Sequence, residues 1–131
     1  VLPGGFGAAK NLCSFADDGP ECWVAPDVEK LVGDMLEQKK PLGAVCIAPA
    51  LLARIAGQRG VQAKLTIGND TATAGAIGKM GCVHEECPVT EFSLDEENKI
   101  VSTPAYMLGP GPAAVYEGVR KLVGKLLEMT G

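Results

Sequence analysis

Histidine is nearly absent: His84 is the only one among 131 residues, so any imidazole base must be that ring. Aromatic residues make up only 5% of the chain. No stretch concentrates Lys and Arg with aromatics between them, which leaves a nucleic-acid or anionic-membrane role without its usual pattern. Cations are the minority: Lys and Arg number 12 against 16 Asp and Glu, for a net charge of −4. No apolar run approaches the length of a bilayer span. There is no internal repeat, linker or low-complexity segment. The first residues show no signal- or transit-peptide pattern, and they lack a methionine. The chain opens on "VLPGG", two apolar residues running into a turn. That reads as the end of a strand whose beginning is absent, so a fragment is expected. Residues 1–131 suffice for one domain with one core, here expected to lack its N-terminal strand–helix portion.

The cysteines are Cys13, Cys22, Cys46, Cys82 and Cys87. An odd number at irregular spacing suggests no disulfide framework, and a reducing compartment is the simpler reading.

Strand and helix patterns alternate along the chain. "PDVEKLVGDMLEQKK" is helical, with Pro26 suited to the first position and Val28, Leu31, Val32, Met35 and Leu36 on one face. "LGAVCI" is short and wholly apolar, as a parallel strand buried on both faces requires. "APALLARIAG" follows as a helix closed by Gly57, and "VQAKLTI" as a strand. "TATAGAIGKMG" is a glycine-damaged helix, and "CVHEE" a short strand. "VTEFSLD" and "KIVSTPA" form a hairpin with Asn98 in the turn. "GPGP" is a rigid loop. The last helix carries Val115, Val119, Leu122, Val123 and Leu126 on one stripe. This alternation predicts a layered α/β domain with a mainly parallel sheet. Ligands of such sheets sit beyond the carboxyl ends of the strands, where both Gly4–Gly5 and Cys46 fall.

Cys46 has two readings. Free cysteine often fills space as a small buried hydrophobe. Against that, Cys46 stands where strand becomes helix, and the unpaired amides there favour thiolate. Its neighbours Gly43, Ala44 and Ala48 are small, as a strained strand–turn–helix elbow needs. The amide of Ile47 points where an oxyanion would form. "PGGFG" offers a second amide, because glycine lets a backbone N–H approach a ligand closely; an ordinary turn is the alternative. His84 lies in "CVHEECP", sharing a strand face with Cys82 and followed by Cys87. These are zinc-ligand types, but there is no second cluster and the spacing matches no common zinc module. As a base His84 must reach Cys46; an ordinary strand histidine is the favoured reading.

The segments "VLPGGFGAAKNL", "KPLGAVCIAPALL", "LTIGND", "CPVTEFSLDEENKIVSTPAYM" and "LLEMTG" together resemble the ElbB family. That family comprises enhancing lycopene biosynthesis (sigma cross-reacting) proteins and their mitochondrial relatives in animals. It lies within the class I glutamine amidotransferase-like (ThiJ/PfpI) superfamily. The resemblance implies a flavodoxin-like three-layer α/β sandwich with a nucleophile elbow at Cys46. It implies an oxyanion site from Gly4, Gly5 and Ile47, with the acid–base carboxylate in the absent N-terminal part. True amidotransferases and many ThiJ/PfpI enzymes place a histidine after the cysteine or in the loop after the next strand. Here those positions hold Ile47 and Gly68–Asn69–Asp70, which counts against glutamine and peptide hydrolysis.

The expected activity is a cofactor-independent glyoxalase converting small dicarbonyls, glyoxal to glycolate, without metal or organic cofactor. The alternative is a non-catalytic redox or metabolite sensor using the same cysteine. A small dicarbonyl substrate and a homodimer are expected, with no nucleic acid and no membrane. The compartment would be cytoplasmic, or mitochondrial for an animal chain.

Overall fold

The computed structural model describes residues 1–108 and 111–130. Of the "GPGP" loop, Gly109 and Pro110 therefore lie outside the described residues. The helices are α1 (Phe15–Asp18), α2 (Pro26–Glu37), α3 (Ala48–Gln58), α4 (Thr71–Lys79) and α5 (Pro112–Thr130). The strands are β1 (Leu42–Val45), β2 (Lys64–Leu65), β3 (Val83–His84), β4 (Ser93–Asp95) and β5 (Ile100–Thr103).

β1 is buried at all four positions and pairs in parallel with β5, which pairs antiparallel with β4. On its other side β1 takes the chain start: the Leu2 amide donates to the Gly43 carbonyl at 2.8 Å and the Val45 amide to the Leu2 carbonyl at 3.0 Å. β2 and β3 form a second parallel pair.

Alternation along β1 builds the layers. Leu42 and Ala44 face one apolar cluster with α2, α3 and α4, whereas Val45 faces another with Leu122 and Leu126 of α5. A side chain at Gly43 would meet Leu126, Leu122 and Val1, so its absence lets α5 lie down on the strand. The result is the expected three-layer α/β sandwich with a mainly parallel sheet.

Several expectations change in detail. Leu31 is 63% exposed, because α2 buries the stripe Val32, Gly33 and Leu36 instead. A Cβ on Gly33 would collide with the Arg59 guanidinium, which also pairs with Glu29 and Glu37 across the helix. Val123 is 40% exposed, since α5 buries Val115, Gly118, Leu122 and Leu126. Gly57 does not close α3 but lies inside it, where a side chain would strike the Met80 carbonyl. Gly60, at φ +73°, makes the stop: its amide donates to Gly57 and that of Val61 to Ala56, the paired bonds of a left-handed C-cap.

β2 is shorter than the sequence pattern. One side pairs with β3, but the outward amides of Lys64 and Thr66 donate to side chains, Asp95 Oδ2 at 2.8 Å and Ser102 Oγ at 3.0 Å. The hairpin forms as expected, with the Asn98 amide and side chain both donating to Asp95.

Candidate active site

β1 ends at Val45, and Cys46 then turns the chain at φ +65°. A non-glycine residue there is strained by about 1–3 kcal/mol and must be held by its surroundings. Three features hold it. The Cys46 amide donates to the Thr103 carbonyl of β5 at 3.0 Å. Ile47 caps α3, and Pro49 in the first turn fixes the helical φ. Ala48 and Ala50 are buried and small enough for the helix to start immediately.

The "PGG" turn closes over this junction. Gly4 and Gly5 have φ of +88° and +86°. A Cβ at Gly4 would collide with the Val45 carbonyl oxygen and lie 3.0 Å from the Cys46 Cβ, whereas at Gly5 it would meet open space. Gly5, Cys46 and Ile47 line one cavity of about 360 Å³, with Phe6, Ala9, Phe15, Ala16 and Met107. Among the described residues, the amides of Gly5 and Ile47 donate to no other group of the protein. Two residues with unpartnered amides and a thiol thus line one cavity; amides turned toward the thiol there would form an oxyanion site. Gly4 acts by shape, letting the turn approach. Besides Phe6 and Ala9 beside the turn, the walls come from α1 and from the 3₁₀ turn Ala105–Met107, far apart in sequence and without any local signal.

The other cysteines are buried. Burial, with Cys13 alongside and Arg54 opposing, pushes the Cys22 thiol up to about 11. Burial, then Glu85 and Glu91, do the same to Cys87. Cys82 is also raised by burial. Cys46 alone is half-exposed.

His84 does not line the Cys46 cavity. Its Nε2 accepts the Ile67 amide at 3.3 Å, and burial lowers its basicity against the opposing pull of Glu86 and Glu85. In the loop after β2, Asp70 caps α4 by accepting from the Thr73 amide at 3.1 Å.

A buried parallel strand, a cysteine at positive φ and a helix beginning beyond it define a nucleophile elbow on an α/β sandwich, the amidotransferase-like class. Comparison with known proteins agrees. The crystal structure of an isoprenoid biosynthesis protein with amidotransferase-like domain from Ehrlichia chaffeensis matches 98% of this chain and 57% of its own, with TM-score 0.88 and 35% identity. The ES1 protein homolog, mitochondrial, of Rattus norvegicus is 39% identical over 140 aligned positions, covering 100% of this chain and 51% of the relative. The human glutamine amidotransferase-like class 1 domain-containing protein 3, mitochondrial, is equally similar, with the same coverage. No family model matches. Over its whole length the chain is thus similar to part of each of these ES1, glutamine amidotransferase-like and isoprenoid biosynthesis proteins, and it shares the amidotransferase-like fold of the crystal structure. It spans about half the length of the curated relatives it matches.

Proposed function

We propose that this chain carries the nucleophile of a cofactor-independent glyoxalase acting on small dicarbonyls. The observation that carries the reading is the strained Cys46 facing a cavity with the free amides of Gly5 and Ile47. The Cys46 thiolate adds to the aldehyde carbon, and the carbonyl electron pair moves to oxygen, where the two amides receive it. A base then carries the proton from that carbon to its neighbour through an enediol. The thioester so formed is hydrolysed, returning the thiol and releasing a 2-hydroxy acid. Dicarbonyl and water give the acid with no external oxidant.

The cavity walls hold no carboxylate or imidazole, so the base comes from outside those eight residues. Asp17 and Asp18, which follow the wall residues Phe15 and Ala16, and Glu21 just beyond them are candidates within this chain. Glutamine hydrolysis lacks the imidazole it needs beside Cys46.

The same lack of a neighbouring acid–base group favours a second reading, a sensor whose Cys46 is oxidised once and changes a partner interface. Incubating the protein with glyoxal and following glycolate by NMR separates them. Many product molecules per protein, abolished by Cys46→Ser, support the enzyme; one modification event per Cys46 with no continuing product supports the sensor.

The rat and human relatives are named as mitochondrial, and no described helix is long and apolar enough to cross a membrane. A reducing compartment suits five unpaired cysteines: cytoplasm, or the mitochondrion for an animal chain. The expected homodimer is testable by light scattering.

A further inference from the structure

The Cys46 cavity is poorly matched to glyoxal. Its volume of about 360 Å³ lies in the range of sites that take larger organic ligands, about 300–1,000 Å³, and glyoxal has only two carbons. The walls are Phe6, Phe15, Ile47 and Met107 with small alanines, and no charged side chain lines them. Apart from the Cys46 thiol, no side chain that lines the cavity is polar. Glyoxal has no group beyond its two carbonyls to cover these walls, whereas an apolar group beyond them would be removed from water there, which is favourable.

Phe6 sharpens the argument. It lines the cavity yet is 71% exposed, leaving much of an aromatic side chain to solvent. Met107, which also lines the cavity, is the adaptable residue type that moulds to apolar groups. Aromatic walls favour aromatic partners beyond simple area burial.

Resting on the thiol-addition reading above, we propose that the substrate is a 2-oxoaldehyde whose ketone carbon bears an apolar group, aryl or branched alkyl. Its aldehyde carbon bonds to Cys46 Sγ and its aldehyde oxygen takes the electron pair at the two amides. Its apolar group lies against Phe6, Phe15 and Met107. The overall change is addition of water: the aldehyde carbon is oxidised to the acid and the ketone carbon reduced to the alcohol.

Two measurements test this independently. The first needs no turnover. Labelling of Cys46 is timed with phenacyl bromide and with iodoacetamide, and the rate ratio is divided by that of a free thiol such as N-acetylcysteine. An apolar site raises the normalised ratio at Cys46 by about tenfold, the effect of 1.4 kcal/mol. Phe6→Ala, at an exposed position that does not endanger folding, lowers it, and Phe6→Trp restores it. A normalised ratio near one, or one unchanged in Phe6→Ala, overturns the proposal. The second compares kcat/KM for phenylglyoxal and glyoxal. Preference for phenylglyoxal supports the proposal; preference for glyoxal overturns it while leaving glyoxalase activity standing. A raised labelling ratio with no turnover of either dicarbonyl supports the apolar site and removes the glyoxalase reading alone.

Discussion

The backbone of Gly4 lies against Cys46 so closely that a methyl group on it would come within 3.0 Å of the Cys46 Cβ and strike the Val45 carbonyl oxygen. Gly5, one residue on, has almost the same φ but faces open space. The two glycines therefore answer differently to alanine. Gly5→Ala incurs backbone strain alone, about 1–2 kcal/mol. Gly4→Ala adds a collision with backbone that cannot swing aside, and loses at least about 1 kcal/mol more. Urea unfolding of both variants checks this; equal losses would show that the turn does not press on the elbow.

At Cys46 the usual order of helix-former and helix-breaker inverts. Its φ of +65° suits glycine, so Cys46→Gly is expected to be about 1 kcal/mol more stable than Cys46→Ala, although both remove the thiol. Thermal unfolding of the pair measures the strain directly. Alanine equal to or better than glycine would mean that the elbow relaxes once the sulfur is gone.

Thiol reactivity is expected to single out Cys46. Burial holds Cys22 and Cys87 near 11 and raises Cys82, and Cys13 is fully buried with its Sγ donating to the Ala8 carbonyl. A limiting alkylating reagent at neutral pH, read by peptide mass, labels Cys46 first. Early labelling of Cys13 or Cys22 would overturn the elbow's assignment as the exposed thiol site.

Stability is expected to fall in two stages on acidification. Burial disfavours the His84 imidazolium, and the unfolded chain takes that proton near the ordinary value of 6.5. The contribution of neutral His84 is therefore complete above that pH and is lost as pH falls through the lower folded value. Burial alone would raise the Asp95 carboxyl. The Asn98 side chain and the amides of Lys64 and Asn98 outweigh it and hold the group below its ordinary 3.8. That contribution is present above 3.8 and lost as pH falls through the folded value. His84→Gln, whose amide oxygen can still accept from Ile67, removes the first stage and leaves the second in a melting-temperature profile. A profile unchanged by His84→Gln would disprove the assignment.

The elbow was legible because its cause is local: "LGAVCIAPA" places a fully apolar strand, small residues and a first-turn proline in succession. Each shapes its neighbours without help from the rest of the chain. The cavity walls were not legible, because Phe15 and Met107 meet Cys46 only after the sheet has formed, and nothing in "CSFADD" or "PAYML" marks them. Stripe edges failed for a related reason. Leu31 and Val123 each sit one residue from the buried stripe of their helix, and helical spacing alone cannot tell which of two adjacent apolar residues the partner layer covers. Gly57 and Gly60 look alike in sequence. One answers a close approach by Met80 and the other a left-handed turn, a difference set by tertiary packing in the first case and by helix termination in the second.

Most strands are fastened to their neighbours by backbone atoms that every residue but proline owns, so the fastening survives almost any other change of amino acid. The outward edge of β2 is different: the Lys64 and Thr66 amides are held by the carboxylate of Asp95 and the hydroxyl of Ser102. Attachment between the two sheets is thereby spelled out in particular codons, and a change at Asp95 or Ser102, both buried, can unhook a strand. Losing either side chain leaves a strand amide without its partner, at a cost of about 1–3 kcal/mol.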